Sequence, residues 1–269
     1  MYEDQNSKIE QIISEGYEFK FGDYIGNGFN LLQKDFGNFF LFSLVSIIIM
    51  FVVALVPILG IIADVVLVSP ALIAGLYIFA HKLHRGEPTE FSDFFKGFNY
   101  AGQLVLVTIT AFLVGQILSI PYYIANSELY YWYIDIFKAI QDSPQDAASL
   151  MAEIGDPPQA AFWTNLLMIP SIYIGIAYAW AVPFVIFYKL SFWDALETSR
   201  RLITKRWWII FAFMIVIGLI AGAGIFVFCI GLLASFPAYI CMNYLAFEDV
   251  TQLNVEGETE GDIEQHLVG

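Results

Sequence analysis

The residues of this sequence that could do chemistry are few, and several are polar groups within long apolar stretches. Asp64 is an acid inside a predicted membrane span, and an intramembrane carboxylate can relay a proton or bind an ion. Gln116 and Asn165 could line a solute pathway with it. For Gln116, Asn165 and Asn243 alike, hydrogen bonding between helices is the commoner use of a polar side chain in a membrane. Asp64 also follows Gly60 closely, near the predicted outer boundary, where its carboxylate could reach water.

The densest basic cluster stands directly before Trp207 and consists of Arg200, Arg201, Lys205 and Arg206. Basic side chains beside a membrane attract anionic lipid headgroups, each contributing about 1 kcal/mol. The simpler interpretation is that they mark the orientation of the chain, and Arg201 could also pair with Glu197 one helical turn earlier. The sequence therefore offers this cluster as a candidate headgroup site, with orientation marking as the alternative.

No constellation of residues indicates a reaction. His81 and His84 are spaced so that they could share a metal ion, but no third ligand stands nearby, and we predict no metal site. Nucleophile-elbow, phosphate-loop and His-Glu-x-x-His motifs are absent from the sequence, so we expect neither enzymatic activity nor a cofactor. The net charge of −14 argues against a nucleic-acid partner, which requires a basic surface.

These candidate residues lie within or beside six apolar stretches, each long enough to cross a bilayer. The hydrocarbon core of a membrane is about 30 Å thick and requires roughly 20 apolar residues in a helix. The chain is 58% hydrophobic and only 14% charged, whereas a soluble domain carries about a quarter charged residues. We predict an all-α, polytopic membrane protein with six transmembrane helices, near residues 38–57, 60–83, 101–125, 163–189, 207–227 and 230–248.

The distribution of basic residues predicts the orientation of these spans. Eleven of the twelve Lys and Arg residues fall in segments that alternation places on one side, and the opposite side carries only Lys138. Loops rich in Lys and Arg are cytoplasmic. We therefore predict a multi-pass protein of a bacterial cytoplasmic (inner) membrane with both termini in the cytoplasm.

A short amphipathic segment precedes each odd-numbered span and opens with Phe-x-Asp, at Phe21–Asp23, Phe91–Asp93 and Phe192–Asp194. Helices of this kind are suited to lying in the membrane interface. The seven-residue interval from Pro70 to Tyr77 recurs from Pro237 to Tyr244. We therefore predict three repeats, each an interfacial amphipathic helix followed by a transmembrane hairpin.

The predicted domains follow from these repeats. Residues 1–20 form an acidic cytoplasmic segment, residues 21–248 the six-span membrane domain, and residues 249–269 an acidic disordered tail. The repeats cover residues 21–84, 90–189 and 191–248. An insert at 126–160 lies on the outer surface and could be a lid, a partner surface or a structural element.

Two segments resemble a group of known sequences. Leu190–Leu202 with Lys205–Trp208, and Arg85–Pro88 leading into Phe91–Phe98, resemble uncharacterised bacterial polytopic membrane proteins. These are similar to the membrane domain of glycerophosphodiester phosphodiesterases and to several domain-of-unknown-function groups. The resemblance covers about residues 20–250 and implies a six-helix membrane fold. The sequence contains no soluble phosphodiesterase barrel, so the resemblance implies no hydrolase activity.

Two functional hypotheses follow from these patterns. The first is a membrane-organising or lipid-interacting scaffold, with membrane lipids as partners, because the most regular feature is a set of three interfacial helices while the spans carry little charge. The alternative is a transporter of a small or amphiphilic solute, with a path near Asp64, Gln116 and Asn165.

Overall fold

The computed structural model describes residues 2–159, 161–226 and 230–253, and within these ranges the chain is helical with no β-strand. Contacts divide it into two compact bodies. The main body comprises Met1–Ile109 and Ile176–Gly269, and the insert body comprises Thr110–Gly175. The part of the predicted acidic tail from residue 254 onwards lies outside the described residues.

Thirteen α-helices are found in the described residues, with short 3-10 and π segments between them. The α-helices are α1 Tyr2–Glu15, α2 Phe21–Lys34, α3 Phe36–Ala54, α4 Leu59–Ala63, α5 Ser69–His84, α6 Ala101–Ala125, α7 Ser127–Asp142, α8 Ala147–Ile154, α9 Ile169–Ala177, α10 Ala181–Phe187, α11 Phe192–Lys205, α12 Trp207–Ala223 and α13 Leu232–Thr251. A π-helix covers Asp64–Val68, and 3-10 helices cover Phe91–Tyr100, Phe162–Met168 and Gly224–Phe226.

Five helical stretches among the described residues are long and apolar enough to cross a membrane, namely Phe36–Ala54, Leu59–His84, Phe91–Ala125, Phe162–Phe187 and Trp207–Phe226. Such a set is consistent with a multi-pass membrane protein. The sixth predicted span, 230–248, forms α13, which is not among them because it carries Asn243, Glu248 and Asp249. Six spans therefore remain a prediction.

Helix α13 lies at the centre of the main body, where it packs against α2, α3, α5 and α12. Most of its side chains are buried, from Leu233 to Thr251. A helix enclosed by protein does not need a lipid-facing apolar surface, so it tolerates polar groups where neighbouring helices offer hydrogen-bond partners.

The three short segments that follow Phe-x-Asp openings pack against different inner helices of the main body. Helix α2 packs on α13, the 3-10 helix Phe91–Tyr100 on α5, and α11 on α10. A small residue lies at each crossing. A Cβ atom on Gly28 would lie 2.9 Å from the Met242 backbone, one on Gly97 would lie 2.0 Å from the Ala71 carbonyl oxygen, and the Ser199 hydroxyl donates to the Ala177 carbonyl at 2.7 Å.

The second of these segments is a 3-10 helix, whereas α2 and α11 are α-helices. Its first turn is fixed by a capping box between Glu90 and Asp93. Asp93 is buried, accepts a hydrogen bond from Lys82 and forms an ion pair with Lys96, while the Phe94 ring stacks on Phe79 at 3.9 Å between ring centres. These contacts hold the segment tightly on α5 and favour its narrower helix.

The fourth apolar stretch is not one continuous helix. It begins with the 3-10 helix Phe162–Met168, continues as α9, and is interrupted before α10 at residues 178–180. Within the insert body, the Thr164 hydroxyl donates to the Asn126 side chain at 3.2 Å, and the Ser119 and Ser171 hydroxyls are 2.7 Å apart. Hydrogen bonds between polar side chains therefore connect the helical segments of the insert body.

Candidate functional site

Two of the four basic side chains in the cluster predicted as a headgroup site form ion pairs with glutamates of the same chain. Arg200 forms two hydrogen bonds with Glu197, from Nε at 2.8 Å and from Nη2 at 2.6 Å. Arg201 forms two with Glu10 of α1, at 2.5 and 2.6 Å. The alternative pairing of Arg201 with Glu197 is therefore wrong as a hydrogen-bonded pair: Arg200, three residues after Glu197, takes that place.

Helix α1 is held on α11 by apolar burial and by this charge pair. Ile9, Ile12 and Ile13 are buried along one side of α1. The hydrogen bond from Arg201 lowers the pKa of Glu10 below its ordinary value, because it stabilises the ionised carboxylate. The amphipathic acidic segment, predicted only as a charged N-terminal region, thus covers part of the basic cluster.

The remaining two members of the cluster are exposed. Arg206 donates from Nε to the Tyr17 carbonyl oxygen at 3.1 Å, and the Tyr17 hydroxyl donates to the Leu202 carbonyl oxygen at 2.9 Å. Lys205 pairs with no residue in the part of the chain that the structure describes. The Trp208 side chain, two residues into α12, is 78% exposed. Cationic groups and an exposed indole therefore stand together where an apolar helix begins.

A second polar surface, not predicted from the sequence, lies at the same end of the main body, where α5 and α13 end and α3 begins. It is a groove of about 760 Å³. Its charged lining groups are Lys20, Asp23, Lys34, His84, Glu248 and Asp249, and its amide groups include Asn27 and Asn30. The groove lies between α2 and the last turns of α13.

Most of the charged groups on the α13 side of this groove have partners. Lys20 Nζ is 3.1 Å from Asp249 Oδ1, and the Tyr24 hydroxyl donates to Asp249 Oδ2 at 2.6 Å. His84 Nε2 is 3.3 Å from Glu248 Oε2. Asp249 is thus already paired with a lysine ammonium group, whereas Glu248 lies beside His84 and accepts a hydrogen bond from the Tyr244 hydroxyl.

The three transport-path candidates are not brought together by any contact within one body. Asp64 is in the main body, at the start of the π-helix, and its Oδ1 atom is buried without a hydrogen-bond partner among the described residues. Gln116 and Asn165 are in the insert body. The Gln116 carbonyl accepts a hydrogen bond from Tyr123 of the same helix at 2.9 Å, and Asn165 is exposed.

The two histidines considered as metal ligands have different partners. His81 Nδ1 is 2.9 Å from the Tyr244 hydroxyl oxygen, whereas His84 faces Glu248. No group of three His, Cys, Asp or Glu side chains suited to a metal ion occurs among the described residues. Both histidines thus join α5 to α13.

A buried polar junction ties the inner helices of the main body together. The Asn243 side chain donates from Nδ2 to the Tyr77 hydroxyl at 2.6 Å and accepts from Trp180 Nε1 at 2.9 Å. Asn243 is only 1% exposed, and both partners are buried. Interhelical hydrogen bonding, the commoner use expected of such an amide, is confirmed for Asn243.

Comparison with known proteins found no match: no family model, no curated protein and no solved structure is similar to this chain. The functional argument therefore depends on the residues and their contacts.

Proposed function

We propose that this chain is a multi-pass protein of a bacterial cytoplasmic membrane that binds anionic lipid headgroups and serves as a membrane-organising scaffold. The observation that supports this most directly is the exposed pair Lys205 and Arg206 beside the exposed Trp208 at the start of α12. Basic side chains attract anionic headgroups, and indole rings favour the headgroup layer. Arg200 and Arg201 complete the proposed surface, although their guanidinium groups are paired with Glu197 and Glu10.

The architecture that we propose for this scaffold has six spans in three repeats, with both termini in the cytoplasm. Its support is the packing order of the short amphipathic helices. The helix that opens the second repeat packs on the last helix of the first, and α11 of the third packs on α10 of the second. Helix α2 of the first packs on α13 of the third, so the three contacts close a ring.

The lipid proposal is tested by native mass spectrometry of the full chain extracted with its own lipids. We expect phosphatidylglycerol to remain bound and to be retained about fivefold less by Lys205→Ala, because one juxtamembrane cation contributes about 1 kcal/mol. Lys138→Ala is the matched control, since this exposed lysine is in the insert body. Equal retention by both variants would contradict the proposed site.

A transporter is the second candidate, and the buried Oδ1 atom of Asp64 without a described partner favours it. A π-helix often marks a functional position in a membrane helix. This function requires a water-filled path, so a cysteine introduced at Gln116 should react with a soluble thiol reagent. Complete protection of that cysteine would count against a path at this position. No arrangement of residues supports a reaction, and we propose none.

A further inference from the structure

Helix α7 of the insert body carries an apolar stripe that is open to its surroundings. The stripe consists of Tyr133, Ile134, Phe137 and Ile140, which recur at intervals of three and four residues and therefore share one side of the helix. All four are exposed, and Phe137 is 66% exposed. An apolar stripe on a helix is normally buried against another surface. The structure therefore raises the question of which surface meets α7.

The side of α7 opposite the stripe is acidic. Glu128, Asp135 and Asp142 recur on it every seven residues, and Lys138 lies beside them. All four are exposed. Asp135 and Phe137 lie about 200° apart around the helix axis, since an α-helix has 3.6 residues per turn. A helix with apolar side chains on one side and charged ones on the other is suited to the boundary between hydrocarbon and water.

A third side of α7 packs against α8. The Trp132 Nε1 atom donates a hydrogen bond to the carbonyl oxygen of Gly155, the residue that follows α8, at 2.9 Å. Leu129 and Ile136 are on the same side as Trp132, and all three are half-buried. Helix α8 therefore covers a side of α7 that is distinct from the apolar stripe, and the stripe stays open.

Helix α7 begins where two apolar stretches meet. It starts at Ser127, directly after the stretch Phe91–Ala125, which is long and apolar enough to cross a membrane. The next such stretch begins at Phe162. The Thr164 hydroxyl donates to the Asn126 side chain at 3.2 Å, and both residues are buried. The end of one stretch and the start of the next thus lie side by side, and α7 starts at the level where both reach the membrane surface.

Aromatic rings extend the stripe to this level. Tyr130 precedes Ile134 by one turn of α7, and its ring centre lies 5.3 Å from that of Tyr123, near the end of α6. Phe162 and Trp163, at the start of the next stretch, are both exposed. Tyrosine and tryptophan rings favour the headgroup layer of a bilayer. The stripe is therefore continuous with the boundary at which the two stretches leave the hydrocarbon.

We propose that α7 lies flat in the headgroup layer of the leaflet next to the insert body, with its apolar stripe towards the acyl chains and its acidic side towards water. The partner of this surface is a lipid bilayer. In the six-span arrangement proposed above, this is the outer leaflet. The inference requires that the two adjoining stretches cross the membrane, and it does not depend on the headgroup site before α12.

The charge of the insert distinguishes this surface from the basic cluster before α12. Residues 126–160 contain six acids, and Lys138 is their one basic residue. An anionic leaflet attracts basic side chains, so it repels a helix with an excess of acids. Helix α7 therefore lies deeper in a zwitterionic leaflet than in an anionic one. The insert and the basic cluster thus favour lipids of different charge.

The test measures the depth of single positions of α7 in a bilayer. Phe137→Cys and Asp135→Cys are made in the full chain with Cys229 and Cys241 replaced by alanine, labelled with a nitrobenzoxadiazole fluorophore and reconstituted in phosphatidylcholine vesicles. Brominated acyl chains report contact of the label with hydrocarbon by quenching it. We expect the label at position 137 to lie about 5 to 10 Å below the headgroups and to be quenched. The label at position 135 should lie about 10 Å higher, one helix diameter away, and should be quenched much less.

A protein partner on the stripe would give a different result. If a second copy of the chain covered α7, the label at position 137 would be shielded from water but not quenched by the brominated chains. That result would overturn the proposal, as would equal quenching at positions 135 and 137. Each labelled chain should keep the melting temperature of its cysteine-free parent, which separates a change in depth from misfolding.

Two further arms test the stripe and the acidic side separately. Ile134→Asp places a charge within the stripe and should lower the quenching at position 137, whereas Tyr131→Asp adds the same charge on the acidic side and should leave it unchanged. Phosphatidylglycerol mixed into the vesicles should also lower the quenching at position 137, and Glu128→Gln with Asp142→Asn should remove this effect. Full quenching in the Ile134→Asp chain would refute the role of the stripe, and equal quenching in both lipid mixtures would refute the orientation of the acidic side.

Discussion

Replacing Asn243 with alanine should destabilise the main body, because it removes both hydrogen bonds that this residue makes inside the protein. The Trp180 indole N–H then loses its acceptor, and the Tyr77 hydroxyl loses the amide N–H that it accepts. The substitution leaves both aromatic side chains in place within a region that water does not reach. The expected loss therefore reports the value of a buried polar junction between helices.

The magnitude follows from the two contacts. Hydrogen bonds between membrane helices contribute about 0.6 kcal/mol on average and at most about 1.7 kcal/mol, so two of them predict a loss of about 1 to 3 kcal/mol. The unpaired indole N–H of Trp180 places the value towards the upper end, since a buried donor without a partner costs about 1 to 3 kcal/mol. The free energy of unfolding would be measured by titration with a denaturing detergent, followed by tryptophan fluorescence.

Asn165→Ala provides the matched control, because Asn165 is exposed and should change the stability by less than about 0.5 kcal/mol. The double variant Asn243→Ala with Trp180→Phe tests the contact itself. It should lose less than the sum of the two single changes, since the second removes the donor that the first leaves unpaired. Strict additivity, or an Asn243→Ala variant as stable as the wild type, would refute this reasoning.

Three further results are expected. The Gly75→Ala variant should have a lower melting temperature than the Gly218→Ala variant. A Cβ atom on Gly75 would lie 1.6 Å from the Phe94 carbonyl oxygen, whereas a Cβ atom on Gly218 would meet nothing within 4 Å. Equal melting temperatures would contradict this packing. Glu10→Gln should raise phosphatidylglycerol retention about threefold or more by freeing Arg201, and unchanged retention would show that α1 does not compete with lipid. Acidification should release α1: the pKa of Glu10 is lowered by its hydrogen bond with Arg201, so the stabilisation is complete above the ordinary glutamate value of 4.5 and is lost as the pH falls through the lower folded value. Protease cleavage after α1 should then become faster in the wild type as the pH falls below the ordinary glutamate value of 4.5 and through the lower folded pKa of Glu10, but show no such step in Glu10→Gln.

The helices that are long and apolar enough to span a membrane were predictable from the sequence because length and apolar composition are local properties. Five of the six predicted stretches form helices long and apolar enough to cross a membrane, and the sixth forms α13. The predicted boundaries differ by a few residues. The break within the fourth stretch follows from its excess length, but its position before α10 depends on tertiary packing.

The sites were less predictable because their residues come from distant parts of the chain. Glu10 and Arg201 are 191 residues apart, and Lys20 and Asp249 are 229 apart. The sequence shows both the acidic composition of the first 20 residues and the basic cluster before α12. No pattern of neighbouring residues indicates that Glu10 and Arg201 pair. The groove was missed because Asn27, Asn30 and Lys34 have the pattern of an ordinary solvated helix face.

The central place of α13 has a consequence for how the chain enters a membrane. Helices α2, α3, α5 and α12 all precede α13 in the chain, so each leaves the ribosome before the helix on which it packs. The last of the group to be made, α13, is also absent from the stretches that are long and apolar enough to span a membrane. In the six-span arrangement proposed above, the insertion of α13 therefore depends on helices made earlier, among them α5, whose Tyr77 accepts the hydrogen bond of Asn243. We therefore expect α13, which is only weakly hydrophobic, to enter the membrane after the earlier helices and by packing against them.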